Sequence, residues 1–148
     1  MQHAAAPEAH CCPAKGSAIV EFALVAPLLL LLVAGVLDFS MALRTAASVA
    51  DAARAGAQYG SRSPANAADT AGIQAAALNA APGITGLSAT AVESCQCSGG
   101  AASCTGSCAG GLRIYVQVTA HATAPTVFRY SGLPYSGAVA ATATMRAQ

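Results

Sequence analysis

SAIVEFALVAPLLLLLVAGVL, residues Ser17 to Leu37, is interrupted by a single charge, Glu21. A helix rises about 1.5 Å per residue, so about 20 such residues span the hydrocarbon core of a bilayer. Asp38 closes the lipid-compatible stretch, but the helical pattern runs on. Phe39, Ala42, Leu43, Ala46, Ala50, Ala53 and Ala57 recur at steps of three and four, the mark of one apolar helix face. Arg44, Ser48 and Asp51 fall on the other side. The run Gly60-Ser61-Arg62-Ser63-Pro64 is a stop signal. The spacing therefore predicts one helix from about Ser17 to about Tyr59, its first half in lipid. Small residues along the outer half allow close approach of another helix, or packing on the chain's own domain.

Ahead of this helix, Met1 to Lys15 is polar and irregular, with Pro7, Pro13 and the pair Cys11-Cys12. Beyond it, Ser63 or Asn66 can cap a short helix reaching about Ala81, and Pro82-Gly83 ends it. Leu112, Ile114, Val116, Val118, Ala120 and Ala122 then alternate with polar residues, the period of a half-buried strand. Val139, Ala141, Ala143 and Met145 repeat the pattern, and Leu87 to Cys97 is a weaker third strand. Pro125 and the stretch Gly132 to Gly137 separate the last two. The expected fold is α+β: a long N-terminal helix, a short second helix and a small antiparallel sheet of about three strands. Three segments follow: a leader at 1–16, the helix at 17–60, and an α+β domain at 61–148.

Composition agrees with an anchor. Hydrophobic residues make up 55% of the 148 and charged residues 9%, far below the roughly 25% usual in soluble domains. A formal net charge of +1 offers no basic patch for nucleic acid. There is no Trp, and aromatics are 5%, which argues against a large aromatic pocket for a small-molecule substrate. Alanine inflates the apolar count while adding little core volume.

The chemistry concentrates at Lys15-Gly16-Ser17-Ala18-Ile19-Val20-Glu21-Phe22. A polar leader ends in Lys-Gly, and a carboxylate sits five residues into the apolar helix. A charge at the centre of a membrane helix costs about 2.5–3.5 kcal/mol, so such groups usually have a partner. Cleavage after Gly16 would create a positive α-amino group on Ser17 that could supply one, within the subunit or from a neighbour. The opposing reading is a Glu21 that snorkels to the interface. Pro27 is tolerated in a membrane helix and implies no more than a kink.

Gly16 followed by Glu21-Phe22 and an apolar run is similar to the prepilin cleavage motif of type IVb pilins. The longer stretch Gly16-Ser17-Ala18-Ile19-Val20-Glu21-Phe22-Ala23-Leu24-Val25-Ala26-Pro27-Leu28-Leu29 resembles the opening of TadE-like minor pilins (pseudopilins) of the tight-adherence, or Flp, pilus. Ala52-Ala53-Arg54-Ala55-Gly56-Ala57-Gln58-Tyr59 resembles that family's second signature, which often has Glu in place of Ala55 and Arg in place of Gln58. Ala141-Thr142-Ala143-Thr144-Met145-Arg146 also resembles the family. The resemblance implies cleavage by a prepilin peptidase between Gly16 and Ser17, with Glu21 and Phe22 serving assembly. It implies a single-pass protein of the bacterial inner membrane whose C-terminal domain lies outside the cytoplasm. Its partners would be other pilin-like subunits and the pilus assembly machinery, at the base of or within a surface pilus.

Two rivals stand beside it. Ser40-Met41-Ala42 fits the small-x-small cleavage pattern of a secretory signal. Against that, the apolar run exceeds an h-region, Glu21 sits near its start, and Lys15 is the only positive charge before it. The other rival is an unprocessed anchor carrying a binding domain unrelated to pili.

Cys95, Cys97, Cys104 and Cys108 cluster between the first two predicted strands. In an oxidising compartment they imply disulfides, and four cysteines permit three connectivities. A hairpin folded at Gly99-Gly100 favours the nested pairs Cys95–Cys108 and Cys97–Cys104. A metal site and free or redox-active thiols are the alternatives, although structural zinc ligands usually come as C-x₂₋₄-C and the first pair here is C-x-C. No catalytic constellation stands out: the six acids are dispersed, and outside the leader His121 is the only His, on the polar face of a strand. No cofactor motif is present, and Gly99-Gly100 and Gly110-Gly111 read as turns.

Overall fold

A computed structural model describes residues 16–126 and 137–148. Lys15, the Cys11-Cys12 pair, the rest of the leader before Gly16 and most of the Gly132–Gly137 stretch lie outside the described residues. The chain divides into two compact units, Met1–Gly35 and Val36–Gln148.

In the first unit the described structure is the opening of helix α1, which spans Ser17–Gly60, 44 residues, and continues through Pro27. Its large side chains are exposed one after another, Phe22 at 69% and Leu28 at 67% among them. Among the described residues of this unit, nothing shields them.

The second unit is built on the later part of α1. Val49, Ala52, Ala53 and Ala57 are fully buried at helical spacing. The expected stripe is thus rotated: Phe39 and Leu43 are exposed, Ala46 and Ala50 flank the buried line, and Val49 and Ala52 join it. Small side chains are selected where the helix meets the sheet closely. Among the described residues Thr45 is the one buried polar residue, and its hydroxyl donates to the Met41 carbonyl at 2.9 Å. At Gly60 an added Cβ would lie 2.9 Å from Val116 Cγ1 and 3.1 Å from Ile73 Cδ1, so no side chain fits without displacement.

The short second helix is in fact two, α2 at Pro64–Ala68 and α3 at Thr70–Ala80. Ser63 caps α2, accepting from the Asn66 amide at 3.1 Å. Asp69 leaves helical geometry, with ψ at 76°, and its carboxylate accepts from the Gly72 amide to open α3. A residue that caps the next helix cannot continue the previous one.

Among the described residues four strands follow: β1 Ser88–Cys97, β2 Gly100–Ala102, β3 Arg113–Thr123 and β4 Ala138–Arg146. They form one antiparallel sheet in the order β2-β1-β3-β4. The three expected strands are present; β2, at three residues, is too short to show an alternating pattern. The expected faces hold. Val116, Val118, Ala120 and Ala122 of β3 point inward and are buried, while Gln117, His121 and Thr123 are exposed. Among the described residues, two apolar clusters form the core. One joins Val49, Ala52 and Ala53 to Ala81, Ala120 and Ala122. The other joins Ala57 to Ala67, Ile73, Val116 and Val118.

Candidate functional site: the N-terminal junction

Helix α1 starts immediately after Gly16, whose carbonyl accepts from the Val20 amide at 3.4 Å. Glu21 lies one turn further on and is exposed. Its surroundings are apolar and equally open, with Ile19 at 72%, Val20 at 62% and Leu24 at 71% exposure. Among the described residues, no hydrogen bond or ion pair reaches the Glu21 carboxylate. The junction therefore offers a lone acid on an unshielded apolar surface. In water that surface would be unstable, and in lipid the acid would be. Both costs fall if the helix enters a bilayer near its surface and the carboxylate finds a cation.

The helix meets the physical requirement for such an anchor. Over Ala18–Gly60 it contains an 18-residue window of mean hydropathy 2.6, only 6% of it buried. A helix at the core of a soluble domain would show the opposite burial. Residues 16–58 match the family model described as TadE-like protein. The N-terminal helix is TadE-like. The matched segment opens on the expected cleavage residue Gly16, contains Ser17, Glu21 and Phe22, and closes through the second signature at Gln58. It leaves the sheet outside. No curated protein and no solved structure matches the chain.

Just past the TadE-like segment, Tyr59 donates its hydroxyl to Asp69 Oδ2 at 2.9 Å. The hydrogen bond to Asp69, and then the negative charge of that carboxylate, hold the Tyr59 phenol above its ordinary pKa. The Gly72 amide, and then the Tyr59 hydroxyl, hold the Asp69 carboxyl below its ordinary value. Sequence reading missed this pair; the available signal was an Asp standing just ahead of the helical run Thr70–Ala80. Gly72 completes it, since a Cβ there would collide with Asp69 Oδ2 and the Tyr59 ring.

The cysteines join as Cys95–Cys104 and Cys97–Cys108, with Cα separations of 5.1 and 5.7 Å. The expected nested order is therefore replaced by a crossed one. The turn lies one residue earlier than expected: Cys97 pairs with Gly100 and Cys95 with Ala102, so it falls at Ser98-Gly99. Cys104 follows soon after Ala102 and meets Cys95, and the chain must double back before Cys108 meets Cys97. Glu93, Cys95 and Cys104 bring potential ligand atoms within 4.8 Å of one another. Both of those sulfurs are bonded to each other, and a disulfide sulfur is not the thiolate that binds a metal.

Proposed function

We propose that this chain is a minor pilin or pseudopilin of a tight-adherence type pilus, a structural or assembly subunit and not an enzyme. Its leader, residues 1–16, is removed by a prepilin peptidase between Gly16 and Ser17. Ser17 to Leu37 then anchors it as a single pass in the bacterial inner membrane, with the sheet-bearing part outside the cytoplasm. The observation that carries this reading is the position of Glu21: an exposed acid one turn into an exposed apolar helix, with no partner among the described residues, inside a TadE-like match that begins at Gly16.

The physical role follows from solvation. In a lone subunit Glu21 lies near the membrane surface, where water and headgroups moderate its charge. In a bundle of such helices it is further from water, and the α-amino group freed on Ser17 of the same or a neighbouring subunit can pair with it. A desolvated charge that loses its partner is strongly destabilising. Glu21→Ala and Glu21→Gln are therefore expected to leave expression, membrane insertion and cleavage intact and to reduce recovery of pilin-like partners. Co-purification and a surface-pilus assay beside the unaltered chain read this out. Normal partner recovery and normal pili in both variants would remove any assembly role from Glu21.

A further inference from the structure

Glu93 is a carboxylate on the inner face of the sheet. In β1, Ala91, Glu93, Cys95 and Cys97 face inward and alternate with the exposed Thr90, Val92, Ser94 and Gln96. Directly across from Glu93 is Val116, which is fully buried. A half-buried carboxylate in such a place is stabilised by a cation or by hydrogen-bond donors. Among the described residues no ion pair reaches Glu93, and the polar atom set against its Oε1 is Cys95 Sγ, 4.0 Å away. That sulfur is bonded to Cys104 and has no proton to donate. Glu93, Cys95 and Cys104 thus form a three-ligand cluster that lacks its cation, and among the described residues Cys97 and Cys108 belong to no such cluster.

We propose that the Cys95–Cys104 disulfide is the closed state of a redox-gated zinc site. In the open state the Cys95 and Cys104 thiolates and the Glu93 carboxylate bind the ion, with water in the fourth position. Two thiolates and a carboxylate suit a borderline-soft divalent cation, and zinc accepts S and O donors in one tetrahedral shell. With Zn–S about 2.3 Å and Zn–O about 2.0–2.2 Å, neighbouring ligand atoms lie roughly 3.5–3.8 Å apart. The 4.0 Å between Glu93 Oε1 and Cys95 Sγ is close to that spacing, and all three ligand atoms lie within 4.8 Å of one another. Strand β1 holds Glu93 and Cys95 two residues apart on one face, so both are in position before the ion arrives. The gate is a balanced exchange. A dithiol breaks the Cys95–Cys104 bond, gives two electrons and two protons to its sulfurs, and closes to its own disulfide. Zinc then displaces the two thiol protons as two Zn–S bonds form. Cys95 is buried and Cys104 is not, so the reductant approaches from the Cys104 side. The ion closes the same loop that the disulfide closes, so the β1–β2 hairpin keeps a staple in either redox state.

The test uses the full chain in detergent micelles with Cys11→Ser, Cys12→Ser, Cys97→Ser and Cys108→Ser, which leaves Cys95 and Cys104 as its cysteines. Zinc ion is titrated against a chromogenic chelator, before reduction and after reduction by a dithiol that is then removed. The oxidised chain should bind none, and the reduced chain a single ion. Cobalt(II) in its place should give the absorption of a tetrahedral thiolate site. Glu93→Gln keeps the side-chain shape and should weaken binding by roughly tenfold or more, since even an outer-shell partner is worth that much. No binding by the reduced chain, binding undiminished by Glu93→Gln, or equal binding by the oxidised chain would overturn the proposal. If Glu93→Gln does not fold, the reduced parent decides. It should hold zinc more tightly when folded than when unfolded in urea, and equal affinity in the two would mark two ordinary thiols and no site.

Discussion

The Tyr59 hydroxyl at the end of α1 donates to the same Asp69 carboxylate that caps α3, 2.9 Å away, while the other carboxylate oxygen takes the Gly72 amide. Because folding lowers the Asp69 pKa, this group's contribution is complete above the unfolded carboxylate value, about 4. It is lost as pH falls through the lower folded value. Tyr59 has the opposite sign: its pKa is raised, so its contribution is complete below about 10 and is lost as pH rises through the folded value. Thermal unfolding in detergent should therefore show a steeper acid loss for the unaltered chain than for Asp69→Asn. Tyr59→Phe should remove part of the difference. Parallel acid profiles for all three would show that the pair does not couple to folding.

The close approach of α1 to β3 makes Gly60 a sharp test of the core. Gly60→Ala must push against Val116 and Ile73, and overpacking of this kind costs about 1–3 kcal/mol. Ile73, fully buried in the same cluster, should tolerate Val at about 0.5–1.5 kcal/mol and lose about 2–5 kcal/mol as Ala. Denaturant unfolding of the three variants checks the order: Ile73→Ala the weakest, Gly60→Ala between or level with Ile73→Val.

The crossed disulfides close loops with sequence separations of 9 and 11 residues. Loops of this size contribute about 2–3 kcal/mol each in the chain-entropy account. Removing either pair by double Ser substitution should cost about that much. Fragmentation of the non-reduced peptide between Cys95 and Cys97 should assign Cys95 to Cys104; finding Cys95 with Cys108 would restore the nested order.

The parts of the fold legible in the sequence are those with sustained periodicity. Ile114 to Ala122 and Val139 to Met145 alternate long enough to declare both strands and both faces. Ser17 to Leu37 is so uniformly apolar that its character needed no context. Features set by a single residue were harder to read. Asp69 divides one helical run into two because its side chain competes for the Gly72 amide, and an Asp within a helix has no different composition. The buried line of α1 was misjudged at Phe39 and Leu43, since hydrophobicity alone cannot say whether a residue faces a sheet or stays open. β2 and the cysteine pairing both turn on a hairpin whose turn lies one residue earlier than the glycines suggested. At the candidate site, Gly16, Glu21 and Phe22 were visible because a charge in an apolar run is conspicuous. Tyr59 and Asp69 were not, because their contact is tertiary.

The central claim is a processed, pilin-like anchor, and the mature N-terminus of the protein in the cell envelope tests it most directly. N-terminal and intact-mass analysis of envelope material should find a chain beginning at Ser17, lacking the sixteen residues through Gly16 and retaining the apolar segment with Glu21. A chain beginning near Leu43, after Ser40-Met41-Ala42, would contradict it and mark the protein as secreted.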